Sequence, residues 1–139
     1  MKITSRPILL VEDDDVDAMA VIRAFKSLHI TNRLERAENG EAALAALRDP
    51  RHERPCLVLL DINMPVMGGI EFLHAIKDDN RDLRCIPVVV LTTSNEQEDK
   101  MRSFDLGVAG YMKKPVDYQQ FVETVRTIDR YWTVSEMPE

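Results

Sequence analysis

Short apolar segments of strand length alternate along the chain with segments that carry apolar residues at helical spacing. Three of the apolar segments are unbroken runs, Ile8–Val11, Leu57–Leu60 and Val88–Leu91, and weaker strands are predicted near Arg33–Ala37 and at Gly110–Lys113. Unbroken apolar strands are typical of a parallel sheet that is covered on both faces. The strict alternation therefore predicts an α/β domain whose strands are joined by right-handed helical crossovers.

Five helices are expected, one after each strand. The first should bury one face formed by residues that recur every three positions: Val16, Met19, Ile22, Phe25 and Leu28. The pair Asn39–Gly40 is predicted to begin the second helix, and Asp49–Pro50 to end it. The fourth should lie between 95 and 106 and end in a left-handed cap at Gly107. The other helical stripes are Ile70, Leu73 and Ile76 in the third helix and Phe121, Val125, Ile128 and Trp132 in the last.

Length and composition favour one compact domain. The 139 residues, 45% of them hydrophobic and 30% charged, are expected to form a single domain over 1–139, with a core at about 6–132 and a polar tail at 133–139. No apolar run is long enough for a bilayer, and the N-terminus lacks the apolar segment of a signal peptide. A net charge of −6 argues against direct DNA binding. Cys56 and Cys85 each precede an apolar run, which is typical of buried thiols in a reducing cytoplasm.

Polar residues follow the strands directly, at the edge where a parallel sheet places its functional crevice. The first strand is followed by Glu12 and Asp13, the third by Asp61, the fourth by Thr92, and the fifth by Lys114. Three carboxylates within a few ångströms repel one another unless a cation is bound. A set of carboxylate oxygens favours Mg²⁺, and a neighbouring hydroxyl and ammonium group would suit a phosphoryl ligand.

Four motifs carry a resemblance to a known family. They are LLVEDD at 9–14, LLDINMPVMGG at 59–69, PVVVLTTS at 87–94 and GYMKKP at 110–115. Together, in this order and at strand ends, they make the chain resemble a response-regulator receiver domain of two-component signalling over roughly residues 6–132. The resemblance implies a flavodoxin-like (βα)5 fold, a doubly wound parallel five-stranded sheet in the order 2-1-3-4-5.

The same resemblance implies a role for each site residue. Asp61 would be the phosphoacceptor, and Thr92 and Lys114 would contact the phosphoryl oxygens. Glu12, Asp13 and Asp61 would hold Mg²⁺ together with the backbone carbonyl of Asn63. Thr92 and Tyr111 would form the switch that responds to phosphorylation. Asp14 and Asp15 are expected to be solvated or to cap the first helix.

The expected function is that of a cytoplasmic phosphoacceptor response regulator. It would receive its phosphoryl group from a sensor histidine kinase or a phosphotransfer protein, and act on a downstream protein target or form a homodimer. It would assist its own phosphorylation and dephosphorylation without being an enzyme in the usual sense. The LTTS string and the segment Asp49–Pro55 are similar to single-domain receivers that partner bacterial phytochrome kinases.

Three other interpretations of the sequence compete with this one. A receiver-like adaptor that binds proteins without being phosphorylated is the main alternative, although no site residue is missing. A hydrolase of the haloacid-dehalogenase type would need a second Asp where the chain has Asn63. A dinucleotide-binding domain would need a glycine-rich turn after the first strand, where the chain instead has four consecutive acids.

Overall fold

A computed structural model describes residues 6–27, 30, 32–62, 64, 66–79, 83–92, 97–113 and 123. Within them, five strands and four helices alternate along the chain. The strands are β1 (Ile8–Val11), β2 (Leu34–Ala37), β3 (Leu57–Leu60), β4 (Val88–Thr92) and β5 (Gly110–Lys113). The helices are α1 (Asp15–Ser27), α2 (Gly40–Arg48), α3 (Gly69–Lys77) and α4 (Gln97–Asp105), with a single 3₁₀ turn at Leu83–Cys85. The predicted last helix at 118–132 and the tail at 133–139 lie outside the described residues.

All five strands form one parallel sheet in the order β2-β1-β3-β4-β5. The sheet confirms the predicted fold class, a doubly wound flavodoxin-like α/β architecture. Pairing β1 with both β2 and β3 places the reversal of strand order between β1 and β3. Such a reversal opens a crevice at the carboxyl ends of the strands, and this crevice is where ligands bind in open α/β sheets.

Two apolar clusters fill the space on either side of the sheet. One packs α2 and α3 against β1, β3 and β4, with Phe72 fully buried at its centre. The other packs Ala18 and Phe25 of α1 against the opposite face. Every residue of β1 and β3 is buried, as the unbroken apolar runs predicted. None of the described helices combines the length and the apolar character that a bilayer crossing requires.

The predicted inner face of α1 is confirmed at Phe25 and wrong at Val16 and Met19, and its last member, Leu28, lies outside the described residues. Val16 is 77% exposed and Met19 is 49% exposed, whereas Ala18, Ala24 and Phe25 are buried. An α-helix turns about 100° per residue, so residues spaced by three drift by about 60° at each step and cannot keep to one face. Ala18, Val21 and Phe25, which pack against the sheet, follow the i, i+3, i+7 spacing of one helical face, and α1 presents Val16 and Met19 to solvent.

Candidate functional site

The site begins where β1 and β3 end, on adjacent strands. The Glu12 N–H donates to the Ala37 carbonyl at 3.0 Å, and the Asp61 N–H donates to the Val11 carbonyl at 3.0 Å. These bonds continue the ladder of the sheet by one residue and fix the backbone from which each carboxylate projects. Two of the three acids therefore project from the hydrogen-bonded ends of the central strands.

The carboxylates of Glu12, Asp13 and Asp61 converge as the sequence predicted. One oxygen from each lies within 4.8 Å of the others. Glu12 is 2% exposed and Asp61 is 8% exposed, while Asp13 faces solvent. Two acids are thus largely withdrawn from water beside a third, and three like charges at this range repel one another.

The donor set fits a hard divalent cation. All three groups are carboxylates, which Mg²⁺ prefers together with water and phosphate oxygens. Their spacing allows one oxygen from each residue to reach a common ion. Asp13 is the exposed member of the three, while Glu12 and Asp61 are buried.

The two following acids have structural roles. The Asp14 carboxylate accepts from the N–H groups of Val16 at 2.8 Å and Asp17 at 3.0 Å, which makes Asp14 the N-cap of α1. Asp15 pairs with Arg36 at 2.7 Å. The expectation that these residues cap the helix or face solvent is confirmed. The cap also fixes the start of α1 directly after the two acids that belong to the cluster.

Arg36 is a site neighbour that the sequence analysis missed. Its Nε donates to the Glu12 carbonyl at 3.0 Å while its guanidinium holds Asp15, so it spans the loop between β1 and α1. The signal was available in the sequence, because Arg36 lies near the carboxyl end of β2 and therefore at the same edge of the sheet.

Tyr111 links the edge of the sheet to α4. It lies on β5 beside Val90 of β4 and is half-buried against the apolar cluster of α2 and α3. Its ring centroid lies 6.3 Å from that of Phe104, which is on α4 and 48% exposed. A change in the position of the Tyr111 ring would therefore alter its contact with Phe104 on the exposed surface of α4.

The remaining predicted site residues are outside the described part of the chain. This holds for Asn63, Lys114 and the side chain of Thr92. The backbone of Thr92 is described at the end of β4, in register with Lys113. The predicted ends of β4 and β5 thus lie at the same edge of the sheet as the acidic cluster.

Comparison with known proteins agrees with this geometry. The sequence profile of the response regulator receiver domain matches residues 8–126. The chain belongs to the response regulator receiver family. Members of this family are signalling domains and not classical enzymes, and they bind Mg²⁺ in an acidic pocket, which the cluster of Glu12, Asp13 and Asp61 matches in composition.

Two curated relatives cover most of this receiver. A protein from Methanothrix harundinacea named probable methanogenesis regulatory protein FilR2 is 44% identical over 90% of this chain and 82% of its own. Response regulator Rcp1 from Synechocystis is 39% identical over 90% of this chain and 87% of its own.

Solved structures of similar receivers extend the comparison. The phosphorylated cyanobacterial phytochrome response regulator RcpA is 34% identical over 96% of this chain and 98% of its own, with a TM-score of 0.78. The bacteriophytochrome response regulator AtBRR has 35% identity, the same coverage of both chains and a TM-score of 0.78. The similarity to regulators with phytochrome partners, first indicated by the LTTS string, is confirmed.

Proposed function

We propose that the protein accepts a phosphoryl group on Asp61 from a sensor histidine kinase, in a Mg²⁺-dependent reaction. The observation that carries the proposal is the convergence of Glu12, Asp13 and Asp61 within 4.8 Å at the ends of two adjacent buried strands. An Asp61 carboxylate oxygen attacks phosphorus as the phosphorus–nitrogen bond of the kinase phosphohistidine breaks. The histidine nitrogen keeps the electron pair, and an aspartyl phosphate forms.

Each neighbouring group has one task in this reaction. Glu12 and Asp13 would hold the cation together with Asp61 and the backbone carbonyl of Asn63. When bound, Mg²⁺ neutralises charge on the phosphoryl oxygens. The Thr92 hydroxyl and the Lys114 ammonium donate to the same oxygens, where charge develops in the transition state. Burial of Asp61 at 8% exposure limits the water that competes as a nucleophile or hydrolyses the product.

Incubation with a small acyl phosphate tests the proposal without a kinase. Intact-mass spectrometry should detect one added phosphoryl group in the presence of Mg²⁺ and none when a chelator is added. An unmodified protein under both conditions would support the alternative of a receiver-like adaptor that is not phosphorylated.

Similarity to RcpA and AtBRR supports a phytochrome kinase as the phosphoryl donor, directly or through a phosphotransfer protein. A kinase that uses ATP would place the reaction in the cytoplasm. A phosphotransfer profile against purified histidine kinases tests the partner, and preferential transfer from a kinase without a phytochrome sensor would refute it.

The signalling surface is proposed to be α4 and β5 together with residues 118–132. The contact between Tyr111 and Phe104 supports this route, as do Met101 and Phe104, which expose apolar area on α4. Phosphorylation adds about −1.5 to −2 charges, and coupling between sites is typically about 1–3 kcal/mol. A coupling free energy of this size changes the affinity for a downstream target, or for a second copy of the chain, without refolding the domain.

Hydrogen exchange with the phosphoryl analogue beryllofluoride is expected to report this switch. Amide protection should change in residues 97–113 and 118–132, by roughly 5- to 150-fold in exchange rate for the coupling given above. Changes confined to the loops around Asp13, Asp61 and Lys114 would contradict this account. Size-exclusion chromatography of the same samples shows whether the protein forms a homodimer. A monomer would indicate that the partner is a different protein.

A further inference from the structure

The loop that joins β3 to α3 contains a residue in a conformation that L-amino acids rarely adopt. Met67 has a φ of 50°, in the left-handed region. Because its Cβ crowds the backbone there, a non-glycine residue keeps this conformation only where neighbouring structure holds it. The loop begins at Asp61, so whatever holds Met67 also constrains the segment that carries the phosphoacceptor.

Gly40, the first residue of α2, contacts Met67 directly. Its N–H donates to the Met67 carbonyl at 3.3 Å, which satisfies one of the amide groups that a helix start leaves without an intrahelical acceptor. A Cβ placed on Gly40 would lie 2.7 Å from the Met67 carbonyl oxygen and 2.9 Å from its Cγ. Gly40 is buried, so the start of α2 and Met67 pack backbone against backbone.

The same loop is fastened at its other end. The Gly69 N–H donates to the Ile62 carbonyl at 2.9 Å, and a Cβ on Gly69 would lie 2.8 Å from the Asp61 carbonyl oxygen. Only Gly68 separates this contact from Met67. A displacement of Met67 therefore reaches the backbone of Asp61 through a short and closely packed path.

We propose that Gly40 is a positioning residue for phosphoacceptance, acting through Met67 on the loop that holds Asp61. The inference rests on the function proposed above. Gly40 makes no contact with the reacting atoms; its role is to let α2 approach so closely that Met67 keeps its left-handed conformation. Since a displacement of about 1 Å at a reacting group can cost about 100-fold in rate, a small shift of the loop has a measurable effect.

Gly40→Ala is expected to slow phosphorylation by acyl phosphate by about 10- to 100-fold at saturating Mg²⁺. The double variant Gly40→Ala/Met67→Gly should recover most of the rate, because glycine at position 67 removes the Cγ contact and lets the carbonyl turn away. If Gly40 had a purely structural role, Gly40→Ala would lower the thermal stability, and the added Met67→Gly substitution would not restore the phosphorylation rate.

Two other glycines supply matched controls. Gly68 has a φ of −63° and room for a Cβ, whose closest contact would be the Ile62 carbonyl oxygen at 3.4 Å, so Gly68→Ala should keep the wild-type rate. Gly107 has a φ of 85° with nothing within 4 Å of an added Cβ, so Gly107→Ala should lose stability but keep the rate. A wild-type rate in folded Gly40→Ala, or an equal loss of rate in Gly107→Ala, would overturn the proposal.

A second pair of variants avoids the risk that Gly40→Ala does not fold. Met67→Asn keeps a residue that tolerates the left-handed region, whereas Met67→Val introduces a β-branched residue that does not. The Val variant should phosphorylate more slowly than the Asn variant; equal rates would contradict the proposal.

Hydrogen exchange separates a failure of this inference from a failure of the proposed function. If the wild-type protein accepts no phosphoryl group, the proposed function fails. Amide exchange in residues 62–69 still tests whether Gly40 positions the loop through Met67. Faster exchange there in Gly40→Ala, restored in the double variant, supports it. Unchanged exchange refutes it.

Discussion

Asp61→Asn is expected to abolish phosphorylation by acyl phosphate while leaving the fold intact. The amide cannot act as the nucleophile that the carboxylate provides, and the other two acids of the cluster, Glu12 and Asp13, follow β1 and not β3. Intact-mass spectrometry in the presence of Mg²⁺ should show no added phosphoryl group. Circular dichroism should match that of the wild-type protein.

The same substitution is expected to raise the thermal midpoint in the absence of divalent cations. Two unit charges about 4 Å apart repel by about 1 kcal/mol even in water, and replacing the Asp61 carboxylate with an amide would remove one of three such charges. A matched control is Asp79→Asn, because Asp79 is also a buried carboxylate but pairs with Arg48 at 3.1 Å. This control should lower the midpoint and still be phosphorylated. Persistent Mg²⁺-dependent labelling of Asp61→Asn would show that the nucleophile is misassigned.

Asp13→Ala and Asp14→Ala are expected to have opposite consequences, although the residues are adjacent. Asp13 contributes an oxygen to the cluster, and Asp14 caps α1. Mutating a residue that only orients a metal ligand costs about 10- to 100-fold in metal affinity. Loss of the ligand itself should therefore cost at least about tenfold. Loss of the cap should instead lower the free energy of unfolding by about 1 kcal/mol.

Calorimetric titration with Mg²⁺ and chemical unfolding of both variants measure the two effects. Asp13→Ala should lose Mg²⁺ affinity with little loss of stability, and Asp14→Ala should show the reverse. Asp15→Ala adds a third comparison, since Asp15 is held by Arg36 outside the cluster. Equal losses of Mg²⁺ affinity in all three variants would mean that the ligands are misassigned.

The central strands could be predicted from the sequence because burial on both faces leaves an unbroken apolar run, whereas β5, which is only partly buried, was predicted from a weaker pattern. β1, β3 and β5 begin and end where the apolar segments predicted, and β4 extends one residue further, to Thr92. The convergence of Glu12, Asp13 and Asp61 followed from the same pattern, since the carboxyl ends of parallel strands share one edge. The roles of these residues in phosphoacceptance and metal binding stay predictions, which the variants described above test.

The face of α1 could not be predicted in the same way. Val16 and Met19 belong to a regular three-residue series, but regularity in sequence is not regularity around a helix. The buried residues of α1 include the small side chains Ala18 and Ala24, which a pattern of large apolar residues does not mark.

Contacts between segments that are distant in the sequence could not be predicted in detail either. The sequence places Arg36 at the correct edge of the sheet, but its partners in the loop between β1 and α1 depend on β2 lying beside β1. The close approach of Gly40 to Met67 depends on how α2 and α3 pack, and a left-handed methionine has no distinguishing sequence pattern. Such features follow from tertiary packing and not from local preference.

Chemical mapping of the phosphorylated residue tests the central claim most directly. The protein is phosphorylated with acyl phosphate and Mg²⁺, the aspartyl phosphate is reduced with borohydride, and peptides are sequenced by mass spectrometry. We predict homoserine at position 61 in the wild-type protein, and no homoserine when Mg²⁺ is removed. Homoserine at position 13, 5-hydroxynorvaline at position 12, or no reduced residue in the presence of Mg²⁺ would contradict the assignment of Asp61 as the phosphoacceptor.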